Sequence, residues 1–230
     1  MQLTPEFPQF EAEWAAGRNQ LVTIRLAADL DTPVSLMLKL AEAAPQSFML
    51  ESVTGGELRG RYSIVGMKPD LVWECRDGQA RINRQARFSQ DFEDDPRPAL
   101  DSLRALIAES RIDAMPEGVP PVAAGLFGYL GYDMIRLVED LPDVNPDPLD
   151  LPDAMMMRPS VVAVLDGVKG EVTLCAPAWH DGTDNARAAY ARAAERVMDA
   201  LRSLDRQPSE PRVMGDDTQI GAPVSNFAKP

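Results

Sequence analysis

The chain has few of the side chains that most enzymes use. It holds one histidine, His180, and two cysteines, Cys75 and Cys175, in 230 residues. A Ser-His-Asp or Cys-His arrangement would rest wholly on His180. That residue lies in the turn-rich stretch AWHDGTDN (178–185) with no nucleophile motif beside it, which predicts a solvated loop histidine. The cysteines are far apart and sit in apolar, strand-like runs. Their number and spacing exclude a CxxC redox motif or a cysteine-based metal site, and two buried thiols are expected. Basic charge is also scarce: 23 Lys and Arg face 36 Asp and Glu, a net charge of −13. Nucleic-acid binding needs basic patches that displace counterions, so a nucleic-acid partner is disfavoured. No apolar run approaches the roughly 18 residues of a membrane helix, so no membrane partner is expected. The opening MQLTPEFPQFEAEW has neither the basic head nor the apolar core of a signal peptide. The expected compartment is the cytoplasm. Dinucleotide and Walker glycine motifs are missing, which argues against a Rossmann or P-loop domain.

What is present reads as strands and helices in runs. Phe7, Phe10 and Trp14 recur at helical spacing within 5–17, and LVTIRLAA (21–28) is a strand. Asp31 or Thr32 caps a helix with Pro33 at its first position and Leu36, Leu38, Leu40 and Ala43 on its apolar side. Strands follow at 47–53, 61–67 and 71–76. Asp77-Gly78 signals a hairpin, because both central positions of the favoured turn need positive φ. QARINR returns as a fourth strand, and 86–96 reads as a polar, acidic loop. The carboxylates Asp91, Glu93, Asp94 and Asp95 within it have no calcium-loop spacing and are expected to be solvated. Helix 97–110 presents Leu100, Leu103, Leu106 and Ile107 on one side. Residues 123–133 read as a buried, glycine-rich strand whose Gly125, Gly128 and Gly131 serve close packing. Two antiparallel strands at 155–177 turn around Gly167 and Gly170, and a long helix covers 184–204. Hairpins dominate over strict alternation, so the fold class is α+β, with antiparallel β-sheets packed together and flanking helices.

One segment carries more. FMLESVTGGELRGRYSIVG (48–66) closely resembles the "LLES … GRYS" signature of anthranilate synthase component I. DLDTPV (29–34), GLFGYLGYD (125–133), LPDA (151–154) with the strand after it, and VSNF (224–227) resemble further landmarks of that family, in the same order. The resemblance implies an amino-terminal regulatory domain over 1–205, a linker over 206–222, and the truncated start of a chorismate-binding catalytic domain over 223–230. The family converts chorismate and glutamine-derived ammonia to anthranilate and pyruvate with Mg²⁺, opening tryptophan biosynthesis. Its chorismate and Mg²⁺ residues are implied to lie beyond Pro230, so this chain would hold no catalytic residue and bind no metal. Its implied partners are L-tryptophan as feedback inhibitor, the glutamine amidotransferase subunit, and its own carboxyl-terminal domain.

The implied tryptophan contacts are Ser52, Glu51, Leu50, Tyr62 and Arg61. The chemistry suits an amino acid: a carboxylate for the ammonium, a hydroxyl and strand backbone for the zwitterion, apolar neighbours for an indole. Strand alternation puts Leu50 and Ser52 on one face and Glu51 on the other, so one ligand meets all three only at an edge or bend. Each residue also has a plainer role. Leu50 could be core, Ser52 a turn former, and Glu51 a surface partner of Arg59 or Arg61. Two other functions compete: component I of aminodeoxychorismate synthase in folate synthesis, and a stand-alone amino-acid-binding or interaction module. The LES and GRYS pairing favours the tryptophan pathway, and the abrupt end at SNFAKP argues against a free-standing module.

Overall fold

Strand-forming runs too apolar to face water on either side need cover on both faces, and the chain supplies it with four helices and one long connection. The structure is a computed structural model; it describes residues 2–41, 44–51, 60–142, 147 and 149–206. In chain order the elements are α1 (Phe7–Ala15), β1 (Gln20–Ala27), α2 (Pro33–Ala41), β2 (Phe48–Glu51), β3 (Tyr62–Arg76), β4 (Gln79–Asn83), β5 (Glu93–Asp94), α3 (Ala99–Glu109), β6 (Phe127–Leu130), β7 (Ala154–Asp166), β8 (Glu171–Ala178) and α4 (Ala186–Leu204). The class is α+β and every strand pairing is antiparallel, as expected. All eight strands join a single sheet in the order β1-β8-β7-β3-β4-β5, with β2 added to β3 and β6 to β7.

Local chemistry explains most boundaries. Thr32 caps α2: its Oγ1 accepts from the Ser35 N–H at 3.1 Å, and Ser35 Oγ accepts the Thr32 N–H at 2.9 Å. Asn185 Oδ1 accepts from the Ala188 N–H and opens α4, whose Ala189, Ala193, Val197, Ala200 and Leu204 are buried. Asp77 and Gly78 take φ of 49° and 76°, the left-handed pair that a two-residue hairpin requires.

The strands expected at 61–67 and 71–76 are one 15-residue strand, β3. Pro69 lies opposite Pro159 and Leu71 opposite Arg158, so β3 carries one extra residue, Asp70. Such a bulge reverses side-chain parity. Ile64 before it and Leu71, Trp73 and Cys75 after it therefore share a face, together with Arg158, Val162 and Val164 of β7. Helix α3 and the 110–126 segment cover that face. Helices α1, α2 and α4 cover the other, over Val22, Ile24, Val65, Met67, Ala163 and Leu174. Cys75 and Cys175 are both buried, and burial pushes both thiols above the usual range.

Four details differ from expectation. Residues 123–133 hold only the four-residue edge strand β6, largely exposed, followed by a 3-10 turn over Tyr132–Leu137. The glycines there do serve close approach: a Cβ on Gly128 would stand 1.9 Å from the Met155 carbonyl oxygen. The acidic stretch 86–96 contains β5, and Asp95 is buried rather than solvated, because Arg97 and Ser102 hydrogen-bond its carboxylate. His180 is half-buried against the Trp14 ring, 4.7 Å between centroids, and its backbone N–H donates to Asn19 Oδ1. Ile107 and Leu38, expected on the apolar sides of α3 and α2, are 54% and 45% exposed. The expected boundary after 205 falls just past the end of α4. Ala43, the linker beyond 206 and the 223–230 segment lie outside the described residues.

Candidate effector-binding strand

Of the expected contact residues, Leu50 and Glu51 lie on β2, Tyr62 opens β3 and Arg61 immediately precedes it. Leu50 lies opposite Ile64 and Glu51 opposite Ser63. By alternation Leu50 and Tyr62 share one face, and Glu51 and Arg61 the other. Among the described residues β2 pairs only with β3, so its second edge has no strand partner. An edge is one of the places where residues of opposite parity can meet a single ligand. Glu51 is exposed and Leu50 is 49% exposed, so neither is committed to the core. Ser52, the hydroxyl assigned to the zwitterion, lies outside the described residues, as do 53–59.

Arg61 and Tyr62 have structural work. The Arg61 guanidinium forms a fork on Asp166, with Nη2 to Oδ2 at 2.7 Å and Nε to both oxygens at 3.1 Å. That guanidinium holds the Asp166 carboxyl below the usual carboxylate range. Asp166 Oδ1 also accepts the Val168 and Lys169 N–H groups, and the Arg61 carbonyl accepts from Gly167. Arg61 thus ties the start of β3 to the β7–β8 turn. Its charge also lies over the Tyr62 ring, 5.0 Å from the centroid, and Tyr62 packs beside Ile64 and Val164. No sequence spacing announces the Arg61–Asp166 pair, since the partners are 105 residues apart.

A second polar network escaped the sequence reading. Trp73 Nε1 donates to Ser102 Oγ at 2.9 Å, and Ser102 Oγ donates to Asp95 at 2.7 Å. It pins α3 to the sheet. A third centres on Arg158, which bridges Asp70 and Glu109.

Comparison with known proteins decides what this edge strand belongs to. The chain is 68% identical over 222 residues to anthranilate synthase component 1 of Cereibacter sphaeroides, covering 96% of this chain and 44% of that protein. The chain belongs to the anthranilate synthase component I family. It is also 37% identical over 205 residues to the Pseudomonas aeruginosa protein of the same name, covering 86% of this chain and 39% of that one. The Thermus thermophilus protein is 40% identical over 152 residues, covering 65% of this chain and 30% of its relative. This chain therefore spans less than half the length of these component I relatives. A crystal structure of anthranilate synthase component I from Streptococcus pneumoniae aligns over 77% of this chain and 36% of its own, at 21% identity and a TM-score of 0.49. No family model matches the chain. Among the described residues no helix is long and apolar enough to cross a membrane.

Proposed function

We propose that the complete subunit containing this chain converts chorismate and glutamine-derived ammonia to anthranilate and pyruvate, and that this chain supplies the L-tryptophan feedback site. The observation that carries the proposal is the 68% identity to a component I over 96% of the chain. The relatives named above bear the tryptophan-pathway name, so nothing favours the folate-pathway alternative. The unpaired edge of β2, with Glu51 and Leu50 exposed on it, supports an amino-acid site there. Arg61 and Tyr62 are then second-rank contacts whose first role is to shape the strand.

The remaining implied properties belong to the same proposal. Mg²⁺ would act in the complete enzyme on ligands outside this chain. Among the described residues no group of three or more His, Cys, Asp or Glu could hold a metal ion, so no step is assigned to one here. The chain by itself would be inactive on chorismate, and the subunit would work in the cytoplasm with a glutamine amidotransferase partner. Exposed Leu130 (55%), Tyr132 (86%) and Val138 (64%) beside β6 suit contact with the carboxyl-terminal domain.

Calorimetric titration with L-tryptophan, on this chain and on the complete subunit, tests the feedback site. Losing one charge-assisted contact of about 2 kcal/mol weakens binding roughly thirtyfold. Ser52→Ala, Ser52→Phe and Glu51→Gln should each raise the tryptophan concentration needed for half-inhibition and leave uninhibited turnover within a few-fold of the parent. An unchanged midpoint in all three variants removes the assignment.

A further inference from the structure

The sheet comes apart at one place. Strands β7 and β8 are hydrogen-bonded from Asp166↔Glu171 only as far as Val162↔Cys175. Beyond that point β8 stays on β1 through Ala178, while β7 continues on β3 and β6. Pro177, without an N–H, cannot extend the β7 ladder. The strands diverge into a cleft of about 630 Å³, with Arg158 and Ser160 on one bank, Pro177 and Trp179 on the other, and Arg192 and Arg196 of α4 over it.

Four arginines line this cleft, and three of them have carboxylate partners. Arg84 forms a fork on Glu109 at 2.8 and 3.0 Å, Arg158 forms a fork on Asp70 at 2.9 Å, and Arg192 pairs with Asp184. The other lining carboxylate, Asp181, accepts the Thr183 N–H and hydroxyl. Arg196 differs. It donates from Nη2 to the Pro177 carbonyl, which the sheet leaves without a β7 partner, and its Nε is buried with no hydrogen-bond partner among the described residues. Burial pushes its pKa down, opposed by Asp70 and Glu195 and helped by the fields of Arg87 and Arg192. A guanidinium stays charged even so. A partly buried cation whose buried Nε has no partner is costly unless an anion completes it.

The walls next to it are flat and aromatic. The Arg158 guanidinium stacks over the Trp179 ring at 4.9 Å, and His180 leans on Trp14. We propose that this cleft binds a small organic anion, its carboxylate or phosphate oxygens held by Arg196 and Arg192 and its planar body laid against Trp179. Arginine forks match both oxyanions in a bidentate way. The site lies where the sheet splits and shares no residue with the β2 edge, so it would be a second effector site, independent of the tryptophan assignment.

The test uses the whole 230-residue chain with three probes, benzoate, phenyl phosphate and inorganic phosphate, at fixed ionic strength. Two of the three tryptophans, Trp14 and Trp179, line the cleft, so intrinsic fluorescence and calorimetry both report binding. Saturable binding of benzoate or phenyl phosphate at millimolar or lower concentration is expected, and whichever binds names the oxyanion. Arg196→Gln and Arg192→Gln should each weaken it at least tenfold, and Arg104→Gln, on the outer side of α3, should not. Arg192 is half-exposed, so its variant keeps the test decisive if Arg196→Gln fails to melt cooperatively. No saturable signal with either organic probe, or equal binding by parent and both cleft variants, overturns the proposal. Inorganic phosphate binding as tightly as phenyl phosphate overturns the planar part of it.

Discussion

Replacing Ser102 by alanine should loosen the attachment of α3 more than any exposed substitution could. Ser102 and Trp73 are both fully buried. The serine hydroxyl accepts from Trp73 Nε1 and donates to the Asp95 carboxylate. Around them are Leu71, Cys75, Ala80, Ala99 and Leu106, which offer the indole N–H no other acceptor. Removing the hydroxyl leaves that N–H unsatisfied, at about 1–3 kcal/mol, and deletes one hydrogen bond to a charged carboxylate, whose other partners Arg97 N and guanidinium remain. Together the change should cost about 2–4 kcal/mol. With a slope of about 2 kcal/mol per molar urea for a domain of this size, the midpoint should fall by about 1–2 M. Urea melts followed by Trp fluorescence measure it. A companion variant, Asp95→Asn, carries the pH sign. The Arg97 guanidinium, with Ser102, holds the folded Asp95 carboxyl well below the usual carboxylate range. A depressed folded pKa contributes stability that is complete above the unfolded value near 4 and is lost as pH falls below it. The parent should therefore lose more stability than Asp95→Asn between pH 5 and pH 2. A Ser102→Ala midpoint within about 0.2 M urea of the parent would refute the keystone role.

Three further outcomes are expected. Gly128→Ala puts a methyl against the Met155 carbonyl and should cost about 1–3 kcal/mol; faster amide exchange across 127–130 is the check, and parent-like protection would remove the close-approach explanation. Arg61→Gln strips Asp166 of its fork and should lower thermal stability along with any change in tryptophan response, so a variant with parent-like melting and altered inhibition would make Arg61 a direct ligand contact. Cys75 and Cys175 should resist a thiol reagent in the native chain and react once urea unfolds it, because burial raises both thiol pKa values; rapid labelling of native protein would contradict their placement.

What the sequence made legible was chemistry with local partners. Asp77-Gly78, Pro33 after Thr32, and the Gly167/Gly170 turn each need only neighbouring backbone to act, and all three stand where expected. The apolar stripe of α4 is local in the same sense, since a 3.6-residue period is a property of the helix alone. Polar residues were harder, since their environment is set by partners far along the chain. Asp95 sits in an acidic run that reads as solvent-facing, yet Ser102 and Arg97 make it an interior acceptor. Asp70 looked like the gap between two strands; its carboxylate is instead claimed by Arg158, 88 residues away, and the bulge keeps both on one continuous strand pair. Arg61 was assigned to a ligand from its place in a motif, and Asp166 claims it too. The general rule is that a charge predicted to be functional must first be tested against every distant charge that could satisfy it. Applied across the described residues, that rule removes Arg61, Arg84 and Arg158 from the list of uncommitted cations. Among the described residues it keeps Arg196 on that list, with a carbonyl acceptor at Nη2, no ion pair, and a buried Nε without a hydrogen-bond partner.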